Sequence, residues 1–106
     1  MRPKTGYDIL EYEIHQEQAA TIGRLARELR ESLDALDAFK RQASREIATA
    51  NTRDLERARL VAAAAYALWN FVVQRECSGF RDTELALKEY AVPGEVRAKM
   101  GAVRPR

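Results

Sequence analysis

Residues 60–73 read Leu-Val-Ala-Ala-Ala-Ala-Tyr-Ala-Leu-Trp-Asn-Phe-Val-Val, and only Asn70 in that run is plainly polar. The run sits inside a stretch with helical periodicity. A surface helix hides one apolar stripe, whereas a helix that is apolar all round has to be covered on more than one side. A membrane span takes roughly 18 or more such residues, and this run is shorter. The central helix is therefore expected to touch two or more neighbours, in a chain with few elements to supply them. That predicts an all-α protein that associates with a partner, in the first instance a second copy of itself.

The length of 106 residues fits one domain, at the lower end of the roughly 100–200 residues usual for one. The domain is expected over residues 7–101, with 1–6 and 102–106 as flexible tails. Small domains have a high surface-to-volume ratio, so oligomerisation would help this one. Eighteen Lys and Arg stand against sixteen Asp and Glu, a net charge of +2. Near-balance argues against a dedicated polyanion binder, whose domain would be clearly basic. The last ten residues depart from this, with Arg97, Lys99, Arg104 and Arg106 facing no acid. Such a tail reads first as solvated and second as a nucleic-acid contact. Cys77 is the only cysteine; it excludes an internal disulfide and fits a reducing compartment. The N-terminus lacks the apolar core of a signal peptide, so a cytoplasmic location is expected.

The prolines lie only at positions 3, 93 and 105, which leaves the interior free for long helices. A first helix is expected from about Tyr7 to Ala48. Ile22, Leu29, Leu36 and Ala43 recur every seven residues, and Leu25, Leu33 and Phe39 fill the adjoining positions, a stripe of coiled-coil type. Gly23 marks a kink or a close approach. A turn at 48–52 leads to a second helix over Arg53–Cys77, which Gly79 is placed to end. A third helix is expected over Arg81–Tyr90 with Asp82 as its cap, and a fourth opened by Pro93 and closed by Gly101. Asp37–Arg41, Glu84–Lys88 and Glu95–Lys99 are spaced as i,i+4 pairs.

The first helix would be roughly 60 Å long and the second under 40 Å. Folded back on one another, they leave an overhang at Tyr7–Gly23 bearing Tyr7, Leu10, Ile14 and Ile22. The C-terminal helices are expected to cover it through Leu85, Leu87, Tyr90, Val96 and Met100, from the same chain or from a partner. On the second helix Val61, Ala65, Leu68 and Val72 suit the first helix. Leu60, Ala64, Ala67 and Phe71 suit a two-fold copy, because alanines allow close approach. The expected architecture is a long antiparallel helical hairpin plus two short C-terminal helices, dimerising into a four-helix-bundle-like core.

Candidate chemistry is sparse. Glu11 and His15, one turn apart, could offer two metal ligands, but Glu-X-X-His spacing fails because position 12 is tyrosine. No phosphate loop, catalytic triad or carboxylate pair can be assembled, so no catalytic residue and no cofactor is expected. Residues 82–100 have the outline of a helix–turn–helix, which would place Arg97 and Lys99, with Arg104 beyond, against nucleic acid. The second helix is short for a major groove, and Glu89 and Tyr90 depart from the usual turn.

The blocks Asp8-Ile9-Leu10-Glu11-Tyr12-Glu13-Ile14, Leu68-Trp69-Asn70-Phe71-Val72-Val73-Gln74-Arg75-Glu76, Gly79-Phe80-Arg81-Asp82 and Tyr90-Ala91-Val92-Pro93-Gly94-Glu95-Val96, with Met100-Gly101, resemble a small family of uncharacterised bacterial helical proteins catalogued only as a domain of unknown function. The likeness spans residues 6–101. It implies a bacterial, single-domain helical protein and no particular activity, cofactor or site. The expected function is a non-enzymatic homodimer with a structural or protein-interaction role; the alternative is a small DNA-binding or regulatory protein using the C-terminal helices and basic tail.

Overall fold

The computed structural model describes residues 6–43 and 50–103, and every regular element within them is a helix. The helices are α1 (Gly6–Ala43), α2 (Ala50–Cys77), α3 (Thr83–Glu89) and α4 (Gly94–Val103). Gly6 opens α1 and α4 runs to Val103, so Gly6, Ala102 and Val103 are helical rather than tail. Residues 1–5, 44–49 and 104–106 lie outside the described residues, and with them the expected end of the first helix and the first two residues of the turn expected at 48–52; the other three, 50–52, are helical and open α2. No helix among the described residues is long and apolar enough to cross a membrane.

α1 runs through Gly23 without a break. A side chain there would meet only the Arg27 guanidinium, at 3.7 Å, so this glycine serves neither a kink nor a close approach. Leu25, Leu29, Leu33 and Leu36 of α1 are buried in one core with Val61, Ala65, Leu68 and Val72 of α2. The 3–4 spacing of both sets places each on a single helix face. Ile22 and Ala26 share a cleft with Phe71 and Arg75, while Lys40 and Arg57 reach the same carboxylate. Low-numbered α1 residues therefore lie beside high-numbered α2 residues. At 1.5 Å per residue α1 outruns α2 by about 15 Å, in a molecule 64 Å long.

α2 ends as its sequence predicts. Phe80 N–H donates to the Arg75 carbonyl at 3.0 Å and Gly79 N–H to that of Glu76 at 3.1 Å. Gly79 has φ +93°, and this is a Schellman closure. Its accompanying side-chain contact is the Arg75 guanidinium over the Phe80 ring, 4.8 Å from the centroid. α3 closes in the same way, with Val92 N–H on the Leu87 carbonyl and Ala91 N–H on that of Lys88, but Ala91 takes the left-handed position at φ +51°.

Several local expectations are corrected. Asp82 stands at the N-cap of α3 but makes no capping hydrogen bond; its carboxylate goes to Arg75 at 2.6 Å, a charge-assisted bond stronger than a neutral cap. Gly101 does not close α4, which continues past it. Asp37 and Arg41 pair at 2.9 Å as the spacing suggests. Glu84 pairs with Arg97 instead of Lys88. Glu95, in the first turn of α4, pairs with Lys40 of α1 at 2.7 Å and with Arg57 of α2 at 3.0 Å. One carboxylate thus ties three helices together.

Two predictions follow from these closures. Ala91→Gly removes the steric cost of a left-handed alanine, about 1–2 kcal/mol, against a partly offsetting entropy loss; it should raise stability by about 0.5–1 kcal/mol in denaturant titration. The Lys40 hydrogen bond, followed by that of Arg57, holds the Glu95 carboxyl below its ordinary value. Its stabilisation is therefore present above the unfolded carboxylate value of about 4.3 and is lost as pH falls through the depressed folded value. Glu95→Gln should destabilise the protein by up to about 1 kcal/mol at neutral pH, and the difference should close below that range in pH-resolved melting.

Candidate functional site

The central helix is apolar on three sides, and the chain covers two of them. The face chosen from sequence for a second copy is occupied from within: Leu60, Ala64, Ala67 and Phe71 are 9%, 0%, 7% and 3% exposed in the single chain. Their row on the helix ends in two arginines bound to the C-terminal segment, Arg57 to Glu95 and Arg75 to Asp82. Between them the Phe71 ring meets Tyr90 edge-on at 5.4 Å. Val96 and Met100 of α4 and Leu87 of α3 complete the cover. The C-terminal helices therefore pack on α2 of their own chain. They do not cover the N-terminal overhang of α1 as sequence suggested, and that segment leaves Ile9, Leu10, Tyr12 and Ile14 about half exposed.

The third side of α2 stays open. Leu55, Ala58, Ala62, Tyr66, Trp69 and Val73 follow one another at three- and four-residue steps. Leu55 and Tyr66 are 67% and 64% exposed, the two alanines are exposed, and Trp69 and Val73 are half-buried. Leu55, Trp69 and Val73 each stand two residues from Arg57, Phe71 or Arg75, about 200° round the helix. They therefore point away from α3 and α4. On α1 the Arg30 side chain marks the C-terminal side, with its guanidinium over the Tyr90 ring and Nη2 donating to the Tyr90 carbonyl at 3.3 Å. Phe39 is nine residues on, half a turn round, and Leu10 and Ile14 share its sector. The pair α1/α2 thus has one face closed by α3 and α4 and an opposite face that is apolar along α2 and at both ends of α1.

The charges flank the α2 stripe and interrupt the face along the middle of α1, where Glu28 stands five turns on from Leu10 and shares its sector. Arg59 binds Glu56 one turn away on α2 at 2.6 Å, and that hydrogen bond holds the Glu56 carboxyl below its ordinary value. Arg24 and Glu28 pair at 3.3 Å on α1, with both side chains about half exposed. Pairs this exposed are screened by solvent and weak, so the apolar stripe dominates the energetics of the face.

The other sequence candidates are not brought together. Glu11 and His15 are both exposed on the overhang, and no third metal-ligating side chain joins them among the described residues. Arg97 is engaged by Glu84, Lys99 is exposed on α4, and Arg104 lies outside the described residues. Cys77 is exposed at the end of α2. The open stripe was readable in the sequence as a third 3–4 series on α2; the two-face reading stopped one series short.

These features define an all-helical protein with one long apolar face that is left open among the described residues. The chain belongs to the family of unknown function DUF6665, whose model matches residues 1–106. No curated protein and no solved structure matches it.

A pair of neighbouring substitutions separates the closed face from the open one. Ala64→Glu places a charge where the chain is fully packed and should cost several kcal/mol, enough to unfold a domain of this size. Ala63→Glu, one residue back and exposed, should change the stability of the single chain by less than about 0.5 kcal/mol. Circular-dichroism melting of the two variants at sub-micromolar concentration checks the contrast.

Proposed function

We propose that this protein is a non-enzymatic helical hairpin that forms a homodimer and serves a structural or protein-interaction role. The dimer would pair the open faces of two α1/α2 hairpins into a four-helix core, with α3 and α4 on its outside. The observation that carries this is the apolar row Leu55–Ala58–Ala62–Tyr66–Trp69–Val73, exposed from Leu55 to Tyr66 and half-buried at Trp69 and Val73. Scattered single apolar residues on a surface need no explanation, but an unbroken row marks a contact. Its position opposite the C-terminal helices supports a bundle, because two such faces together enclose an apolar interior.

The test is the mass in solution. Static light scattering at micromolar concentration should give twice the 12.0 kDa of one chain. Tyr66→Glu buries an unpaired charge in the proposed contact and should raise the dimer Kd by about a hundredfold or more, with the helical content of the monomer retained because Tyr66 is exposed in the single chain. A wild-type protein that scatters as a monomer overturns the proposal, and so does a Tyr66→Glu variant that dimerises as tightly as wild type.

A further inference from the structure

The open face carries enough pattern to fix how a second copy would sit on it. We propose that two copies pair about a two-fold axis beside Ala62, with α2 of one antiparallel to α2 of the other. This rests on the self-association proposed above and adds its direction and register.

The first argument is steric. With Ala62 on the axis, Tyr66 of one copy falls opposite Ala58 of the other, and Leu55 falls opposite Trp69. Each large side chain then meets a small or complementary one, and the alanines at the centre let the helices approach to about 8 Å. A parallel two-fold would set Tyr66 on Tyr66, Trp69 on Trp69 and Ala58 on Ala58. Overpacking and voids would alternate along the contact, and both are destabilising. Ala62 also lies near the middle of the 28-residue α2, so a two-fold there engages the helix along its whole length. Two helices side by side over the length of α2 offer about 800 Å² per partner, the area of a standard stable interface.

The second argument is electrostatic and independent of the first. Residues 6–23 carry Asp8, Glu11, Glu13 and Glu17 and no lysine or arginine. An antiparallel arrangement sends the two acidic overhangs to opposite ends of the pair. A parallel arrangement would bring the two acidic overhangs together, and like charges at close quarters disfavour that pairing.

The single exposed cysteine provides the measurement without any substitution. A spin label on Cys77 of the full chain, read by pulsed dipolar spectroscopy, should report about 45 Å between the labelled backbones of the two copies, fifteen residues of helix on each side of the axis. A parallel two-fold on the same face predicts about 20 Å or less. A separation in that short range overturns the register and leaves the homodimer standing, as does a broad, undefined distribution in a sample that scatters as a dimer. A sample that scatters as a monomer removes the homodimer itself, and the register with it. Ala58→Trp provides a second readout. Position 58 is exposed in the single chain, so its helical content should match wild type, while crowding against Tyr66 of the other copy should raise the dimer Kd at least about tenfold. An Ala58→Trp protein with wild-type dimer affinity overturns the proposed pairing.

Discussion

The apolar circumference of α2 is the constraint from which the rest of this structure follows. Few residues between Leu60 and Val73 can face water without cost, at roughly 25 cal/mol for each Å² of apolar surface left exposed. α1 meets the row Val61–Ala65–Leu68–Val72 with its own leucines, and together these residues make one core. That leaves a second row, and the short α3 and α4 are held against it. α3 has seven residues and α4 ten, lengths that are marginal as helices in isolation. Their stability depends on Leu87, Val96 and Met100 being buried, and the cover over the second row depends on those same side chains.

The polar contacts locate this packing rather than drive it. Arg75 at one end of the row and Arg57 at the other each take a carboxylate from the C-terminal segment, and Tyr90 is held between them by Phe71 and Arg30. Most of these groups are partly exposed, where an ion pair contributes less than about 1 kcal/mol. Arg75 is the exception in kind, with a side chain only 16% exposed. Its guanidinium lies over both Phe71 and Phe80 while reaching Asp82. It joins the end of α2, the turn and the start of α3, which is why Asp82 is drawn from its capping role. The three fasteners fix where along α2 the segment sits, and burial supplies the energy.

Much of this was legible in the residues. The four helices, the Gly79 closure, the Asp37–Arg41 pair and the two rows on α2 all follow from spacing and from local stereochemistry. What covers each row did not follow, because periodicity says that a face is apolar without saying who meets it. Ion-pair partners failed in the same way: Glu84–Lys88 and Glu95–Lys99 have helical spacing, but Arg97, Lys40 and Arg57 lie closer in space and took the carboxylates. Ala91 in a left-handed position carries no sequence signature either, since glycine is the residue that such a closure usually announces itself with. Pro93 set the conformation of Val92, and the closure was completed with the residue that happened to precede it. The site was less readable than the fold. The open stripe on α2 was present in the sequence as a third series, but a choice among three apolar faces needs the tertiary neighbours.

The reason the C-terminal segment takes the second row, rather than a second copy, is a matter of effective concentration. A segment tethered by a short link meets its docking site at an effective concentration of order millimolar, far above that of a free second chain in the micromolar range. Where a helix offers two equivalent apolar rows, the tethered segment fills one and association is left with whatever the tether does not reach. The link from Cys77 to Thr83 turns the chain to the side of Arg75, and from that side α3 and α4 do not reach the row that begins at Leu55. The intramolecular cover therefore leaves the row that begins at Leu55 as the face for the proposed association. It would also make the proposed association conditional on folding, because the open stripe is presented as one face only when α1 holds the inner row of α2 and the C-terminal helices hold the outer one.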